Sequence, residues 1–243
     1  MAREFTADRE YRLTAAPERV WHAVATGAGN VGWLYPMEIE PRVGGEVSRG
    51  PSKVLAWEPP HRLVIRYADD KGFSNTLHYD IDGREDGGAT LSMGIHWVHE
   101  GTPDANWDTK ADAADKHIDF YQHSLRQYLE HFDGRPATYV RAEQSAPPAG
   151  PEAFAALRRR LGVPDGSAAG DRLRLTPDGI DPLDAEIDYL TEDFIGLRTQ
   201  DGLYRFFDGS SWNWPIWLGH HLFAADADED KATQVWRAWL GRA

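Results

Sequence analysis

Between Arg62 and Trp97 the apolar residues of this chain fall at every second position, and over residues 108–132 they fall at every third or fourth. That change of period constrains the fold more than any other feature. A period of two belongs to a strand with one buried face, and a period near 3.6 to a helix with one buried stripe. In the first strand Leu63, Ile65 and Tyr67 alternate with Arg62, Val64 and Arg66. In the second Leu77, Tyr79 and Ile81 alternate with Thr76, His78 and Asp80, and in the third Leu91, Met93, Ile95 and Trp97 alternate with Thr90, Ser92, Gly94 and His96. Asp69-Asp70-Lys71-Gly72 and residues 83–88 make short turns between them, so the strands are expected to be half-buried antiparallel neighbours. The helical stripe carries Ile118, Tyr121, Leu125, Tyr128, Leu129 and Phe132 and ends at Gly134 and Pro136. At 1.5 Å per residue it is about 37 Å long, enough to lie across a whole sheet.

Upstream, residues 41–67 read as three short strands on tight turns. The Gly44-Gly45 pair supplies the positive φ that such a turn needs, with Gly45 as the expected holder, and Glu58-Pro59-Pro60 interrupts the ladder because proline has no N–H to donate. Residues 3–14 read as a first strand with Phe5, Tyr11 and Leu13 as apolar points. Pro17 suits the first position of a helix, Val20, Trp21 and Val24 continue it, and Gly27 and Gly29 end it.

Downstream, the sequence AEQSAPPAGP at 142–151 is poor in bulky apolar residues and rich in proline and alanine. It divides the chain into a domain at 1–140, a linker at 141–151 and a smaller α+β module at 152–243. The module is expected to hold a helix at 154–161, strands near Arg172–Leu175, 185–189, Phe194–Arg198, 203–207 and 216–223, and a last helix with Ala232, Val235, Trp236 and Trp239 on one stripe. It can be read as a shortened copy of the first domain or as an unrelated cap.

Four segments taken in order, AAPERVW at 15–21, Trp33 with Pro36, PRVGG at 41–45 and EPPHRL at 58–63, resemble the START-like, polyketide-cyclase and chaperone-ATPase-activator (SRPBCC) superfamily. The resemblance covers about residues 7–133 and is nearest the bacterial branch related to the activator of the ninety-kilodalton heat-shock chaperone ATPase. It implies an α+β helix-grip fold, in which a curved antiparallel sheet holds a long C-terminal helix over a cavity. It does not imply one function, because that fold hosts carriers, cyclases and co-chaperones.

Several chemistries find no support in the residues. A net charge of −13, from 26 basic and 39 acidic residues, repels polyanions at long range, so no nucleic-acid partner is expected. Arg158-Arg159-Arg160 is read as a solvated helix face. The chain has no cysteine, which removes disulfides, thiolate zinc sites and cysteine nucleophiles. His96 and His99 point to opposite faces of a strand, as do His220 and His221, and His117, His123 and His131 are spaced wrongly for one helix face; no metal and no cofactor are expected. The N-terminal MAREFTADREY lacks the apolar core of a signal peptide and no apolar run approaches ~18 residues, so a cytoplasmic protein without a membrane partner is expected. There is no G-x-S-x-G serine elbow, Gly44-Gly45 lacks the Lys-Ser/Thr of a phosphate loop, and Asp112, Asp115 and Asp119 are read as solvated charge.

The aromatic set carries the functional reading. Tyr67, Tyr79 and Trp97 lie on inner sheet faces, Tyr121 and Tyr128 on the helix stripe, and Trp33, Tyr35 and Trp57 near the rim. Tyrosine hydroxyls need partners, so these eight residues are the candidates for lining a semi-polar pocket. Trp212, Trp214 and Trp217 are read as core of the small module. The expected function is binding of a small hydrophobic or aromatic molecule, with no reaction. Two alternatives stand beside it: a cyclase- or hydrolase-like enzyme using Arg66 or His78, which fall on the outward face, and a chaperone-interacting protein, for which no residue is diagnostic.

Overall fold

The computed structural model describes residues 2–148 and 152–241. The chain divides between Gly134 and Arg135 into two units, each built on one sheet.

The first unit runs β1 (Arg3–Leu13), α1 (Pro17–Ala25), α2 (Gly27–Asn30), β2 (Glu46–Val47), β3 (Ser52–Glu58), β4 (Arg62–Ala68), β5 (Phe73–Gly83), β6 (Ala89–His99) and α3 (Trp107–His131). Its six-stranded antiparallel sheet has the order β1-β6-β5-β4-β3-β2. The expected alternation holds in register: Ile65 stands opposite Leu77 and Leu77 opposite Ile95, while Leu63 stands opposite Tyr79 and Tyr79 opposite Met93. One face of the sheet is therefore a continuous apolar surface. The other is polar, with His78 3.6 Å from Asp8, His96 3.4 Å from Glu4 and Arg66 donating to Ser74 at 3.3 Å.

The helix α3 is tied to the apolar side of β1 by charge as well as packing. Arg9 donates to Asp119 at 2.7 Å and to Asp115 at 3.0 Å, and the Tyr11 hydroxyl donates to Asp119 at 3.1 Å. Asp115 and Asp119, half-exposed, thus also anchor the helix; Asp112 faces Lys116 one turn on at 3.8 Å. The positive φ in the turn before β2 belongs to Gly44, at 76°, and not to Gly45. Gly45 is needed for another reason: a Cβ there would come within 2.6 Å of the Glu40 carbonyl oxygen and 2.8 Å of that of Arg42.

The second unit runs β7 (Thr138–Glu143), α4 (Glu152–Leu161), β8 (Arg172–Leu175), β9 (Leu183–Leu190), β10 (Phe194–Arg198), β11 (Gly202–Phe207), β12 (Trp217–Leu222) and α5 (Glu229–Leu240). Its strand order is β7-β12-β11-β10-β9-β8. In both sheets the first strand pairs with the last, helix lies between the first and second strands, and a helix follows the last strand.

The boundary differs from the one drawn at 140–141. Residues 141–143 of the expected linker are strand, because Val140 and Ala142 alternate inward, 0% and 2% exposed, and β7 pairs with β12. Residues 149–151 of that linker lie outside the described residues. Val140, Ile187, Leu197, Phe206 and Leu218 of the sheet form one core with Phe154, Leu157 and Leu161 of α4 and Trp236, Trp239 and Leu240 of α5. Within the arginine triplet Arg159 is exposed, whereas Arg158 and Arg160 are partly covered. Arg160 lies over the Trp239 ring at 4.1 Å and Arg158 donates to the Pro164 carbonyl at 3.0 Å. Trp217 stacks on Phe207 at 3.5 Å and Trp212 on Phe194 at 6.1 Å, so both pack as structural aromatics.

Candidate functional site

The apolar face of the first sheet is open at one end. There β4 and β5 place Ile65, Tyr67, Leu77 and Asn75 side by side, with Tyr67 opposite Asn75 in the register. The segment after α2 brings Tyr35 and Met37, β2 brings Val47, and the following turn brings Arg49 and Gly50. Together with Ser52 these residues line a cleft of about 290 Å³.

Local chemistry holds the cleft walls in place. The buried Asn30 side-chain amide donates to the carbonyls of Thr26 at 2.9 Å and Met37 at 3.3 Å, fastening the Tyr35–Met37 segment to the end of α1. The turn that carries Arg49 is held on both sides. The Glu38 N–H donates to Ser48 Oγ at 2.9 Å and Ser52 Oγ donates to the Arg49 carbonyl at 2.9 Å. Gly50, at φ 69°, passes beside the Tyr67 ring.

The walls are apolar at Met37, Val47, Ile65 and Leu77, with polar groups between them. Asn75 Oδ1 is buried and has no hydrogen-bond partner among the described residues. An unpaired buried acceptor costs on the order of 1–3 kcal/mol, which a donor brought by a bound molecule or water would offset. Arg49 lies 3.6 Å over the Tyr35 ring. Burial raises the Tyr35 hydroxyl above its ordinary pKa, against a smaller opposing effect of Arg49. Like any tyrosine it is protonated at neutral pH and can donate.

The sequence-predicted residues separate into four groups. Tyr35 and Tyr67 line the cleft, and Tyr121 of α3 backs it, meeting the Tyr35 ring edge-on at 6.2 Å. Trp33, Tyr79 and Tyr128 are core, each 1% exposed. Trp33 donates its Nε1–H to the Ala23 carbonyl at 2.9 Å, and Gly32 lies so close to the Tyr128 ring that a Cβ would overlap it. Trp57 packs edge-on against Trp21 of α1 at 4.9 Å. Trp97 belongs to a packed aromatic cluster under the start of α3, 5.2 Å from Phe5, 5.7 Å from Phe73 and 5.9 Å from Trp107. Tyr128 and Trp97, two of the eight candidates, do not line the cleft, because they spend their surface on packing.

Arg49, Ser52 and Asn75 are polar lining residues that sequence reasoning missed. Asn75 was within reach, since 73, 75, 77, 79 and 81 continue one alternation back past the expected strand start. Arg49 sits in a turn, and nothing in its neighbours announces that it will lie on Tyr35. Arg66 and His78, the polar groups of the enzymatic alternative, sit on the opposite face from the cleft. Among the described residues no three His, Asp or Glu side chains converge on a point that could hold a metal, and no helix is long and apolar enough to cross a membrane.

No protein-family description matches the chain, and no curated protein matches it. Solved structures similar to it include protein MLL2253 from Mesorhizobium loti, at 20% identity over 53% of this chain and 98% of that one with a TM-score of 0.42. CalU16 from Micromonospora echinospora is 16% identical over 53% of this chain and 83% of its own, with a TM-score of 0.40. Mll3558 from Rhizobium loti is 18% identical over 53% and 99%, with a TM-score of 0.43.

Proposed function

We propose that the first unit is a helix-grip binding domain that takes a small aromatic or largely apolar molecule into the cleft between Tyr35, Ile65, Tyr67 and Leu77. The observation that carries this reading is the cleft itself: about 290 Å³ with apolar walls and a buried, unpartnered Asn75 acceptor. An enclosed apolar site of about 150 Å³ accepts one benzene ring. The cleft thus suits a molecule of one or two rings and is too small to enclose a sterol. The second unit, with the same strand order, is proposed as a shorter version of the same architecture.

Binding is favoured over catalysis by the chemistry of the lining. A tyrosine hydroxyl is protonated at neutral pH and serves as a hydrogen-bond donor rather than a base, and among the described residues no histidine, aspartate or glutamate lines the cleft. The test is a thermal-shift screen of the whole chain against phenols, indoles, aromatic acids, fatty acids and sterols. One- and two-ring compounds are expected to raise the melting midpoint, and Leu77→Trp, which fills the cleft, is expected to abolish the shift. A screen in which only long-chain lipids stabilise the protein, or in which Leu77→Trp leaves the shifts intact, contradicts the reading.

A further inference from the structure

Resting on the cleft reading above, we infer that the molecule bound there is an aromatic carboxylate that also carries a hydrogen-bond donor. The inference begins with the free edge of Arg49. Its guanidinium lies 3.6 Å over the Tyr35 ring, so the cation's flat face is used by the aromatic quadrupole. Its in-plane N–H groups are left over. Among the described residues no carboxylate is within ion-pair distance of Arg49, although the chain has 39 acidic residues against 26 basic ones. The nearby Glu40 and Glu46 are already engaged, by Arg42 at 2.8 Å and Lys53 at 2.8 Å. A stacked guanidinium with a bare edge is the arrangement that receives a carboxylate through two parallel hydrogen bonds.

The turn that presents Arg49 is fixed rather than loose, through Ser48 to Glu38 and through Ser52 to the Arg49 carbonyl. Deeper in the same cleft the need is reversed. Asn75 Oδ1 is a buried acceptor without a partner among the described residues, and a donor at the far end of the ligand would satisfy it. The same cleft is lined by Met37, Val47, Ile65 and Leu77, which suit a ring. An acid at the mouth, a ring between and a hydroxyl or amine inside satisfy all three regions at once. The cleft volume of about 290 Å³ limits the ring system to one or two rings.

The experiment is calorimetric titration of the full chain with 4-hydroxycinnamate, 4-hydroxybenzoate and 6-hydroxy-2-naphthoate, each beside its methyl ester. The acids are expected to bind at least about tenfold tighter than their esters, since a charge-assisted pair is worth that much, and the advantage should shrink as salt is raised. Arg49→Gln, on an exposed residue, should bring each acid down to the affinity that its ester shows on the same variant. Removing the ring hydroxyl, as in cinnamate, should weaken the acid through Asn75. Acid and ester binding equally, or Arg49→Gln leaving the acid advantage intact, overturns the inference. It is equally overturned if none of the acids binds. The cleft reading is judged separately by the esters and other neutral compounds: one that binds to the wild type and is lost in both Leu77→Trp and Val47→Phe, with melting midpoints near wild type, keeps the cleft while the acid inference falls.

Discussion

Two adjacent glycines do different work in the turn before β2. Gly44 holds a φ of 76° with nothing near its missing Cβ, whereas Gly45 is pressed against the backbone carbonyls of Glu40 and Arg42. A left-handed alanine costs about 1–2 kcal/mol, but backbone oxygens cannot move aside as a side-chain end can. Gly45→Ala is therefore expected to destabilise by about 1–3 kcal/mol and at least as much as Gly44→Ala, measured by denaturant midpoint at constant slope. Equal midpoints for Gly45→Ala and wild type would show that the close approach is absent. His220 makes a second residue-scale prediction. Its Nδ1 accepts the Arg205 backbone N–H at 3.1 Å, and its ring sits among Tyr204, Phe206 and Trp236 at 4.9, 5.0 and 4.5 Å. Burial, helped by His221 and Arg205, holds its pKa well below 6.5. The unfolded chain then binds a proton that the folded one refuses, so the contribution is intact above pH 6.5 and is lost as pH falls below it, by about 1.4 kcal/mol per pH unit. A denaturant midpoint that stays flat from pH 7 to 5.5 would contradict this.

At the scale of elements, β4, β5 and β6 are legible in the sequence because each has one buried face, and alternation is a local signal. So is α3, whose stripe is long and ends at Gly134. The join between α3 and β1 was not legible. Arg9 finds Asp115 and Asp119 from more than a hundred positions away, and in a sequence those carboxylates look like any others on a polar helix face. β7 was half lost to a linker for the same reason, since its partner β12 comes near the end of the chain. Of the candidate site, Tyr67 was legible as an inward aromatic and Tyr35 as an aromatic near the rim. Whether an inward aromatic borders a void depends on what packs beside it: Gly32 brings backbone onto Tyr128, while the end of the sheet near Tyr67 leaves room. Asp119→Ala removes acceptors from both Arg9 and Tyr11 and is expected to cost about 0.5–1.5 kcal/mol for this half-exposed network, less in 1 M salt. Asp112→Ala is expected to cost next to nothing. An Asp119 effect no larger than that of Asp112 would mean that the helix is held by packing alone.

Over the whole molecule, one strand order occurs twice with different interiors. In the second unit the space between sheet and last helix is filled by Phe206, Trp236, Trp239 and the buried His220. In the first unit, where α3 has 25 residues against 12 in α5 and β1, β5 and β6 have 11 each, a cleft remains at the end of β4 and β5. A ring that buries about 150 Å² of apolar surface there gains roughly 4 kcal/mol, close to millimolar binding. Useful affinity therefore rests on the polar groups at its two ends. The direct measurement is a methyl-resolved NMR titration of the whole chain with 4-hydroxycinnamate. The Met37, Val47, Ile65 and Leu77 methyl signals are expected to move together and saturate at one equivalent, while those of Val20 and Leu125 in the packed core stay in place. Shifts confined to other methyls, or none in those four at millimolar ligand for this compound and for every hit of the thermal-shift screen, would contradict a binding site in this cleft.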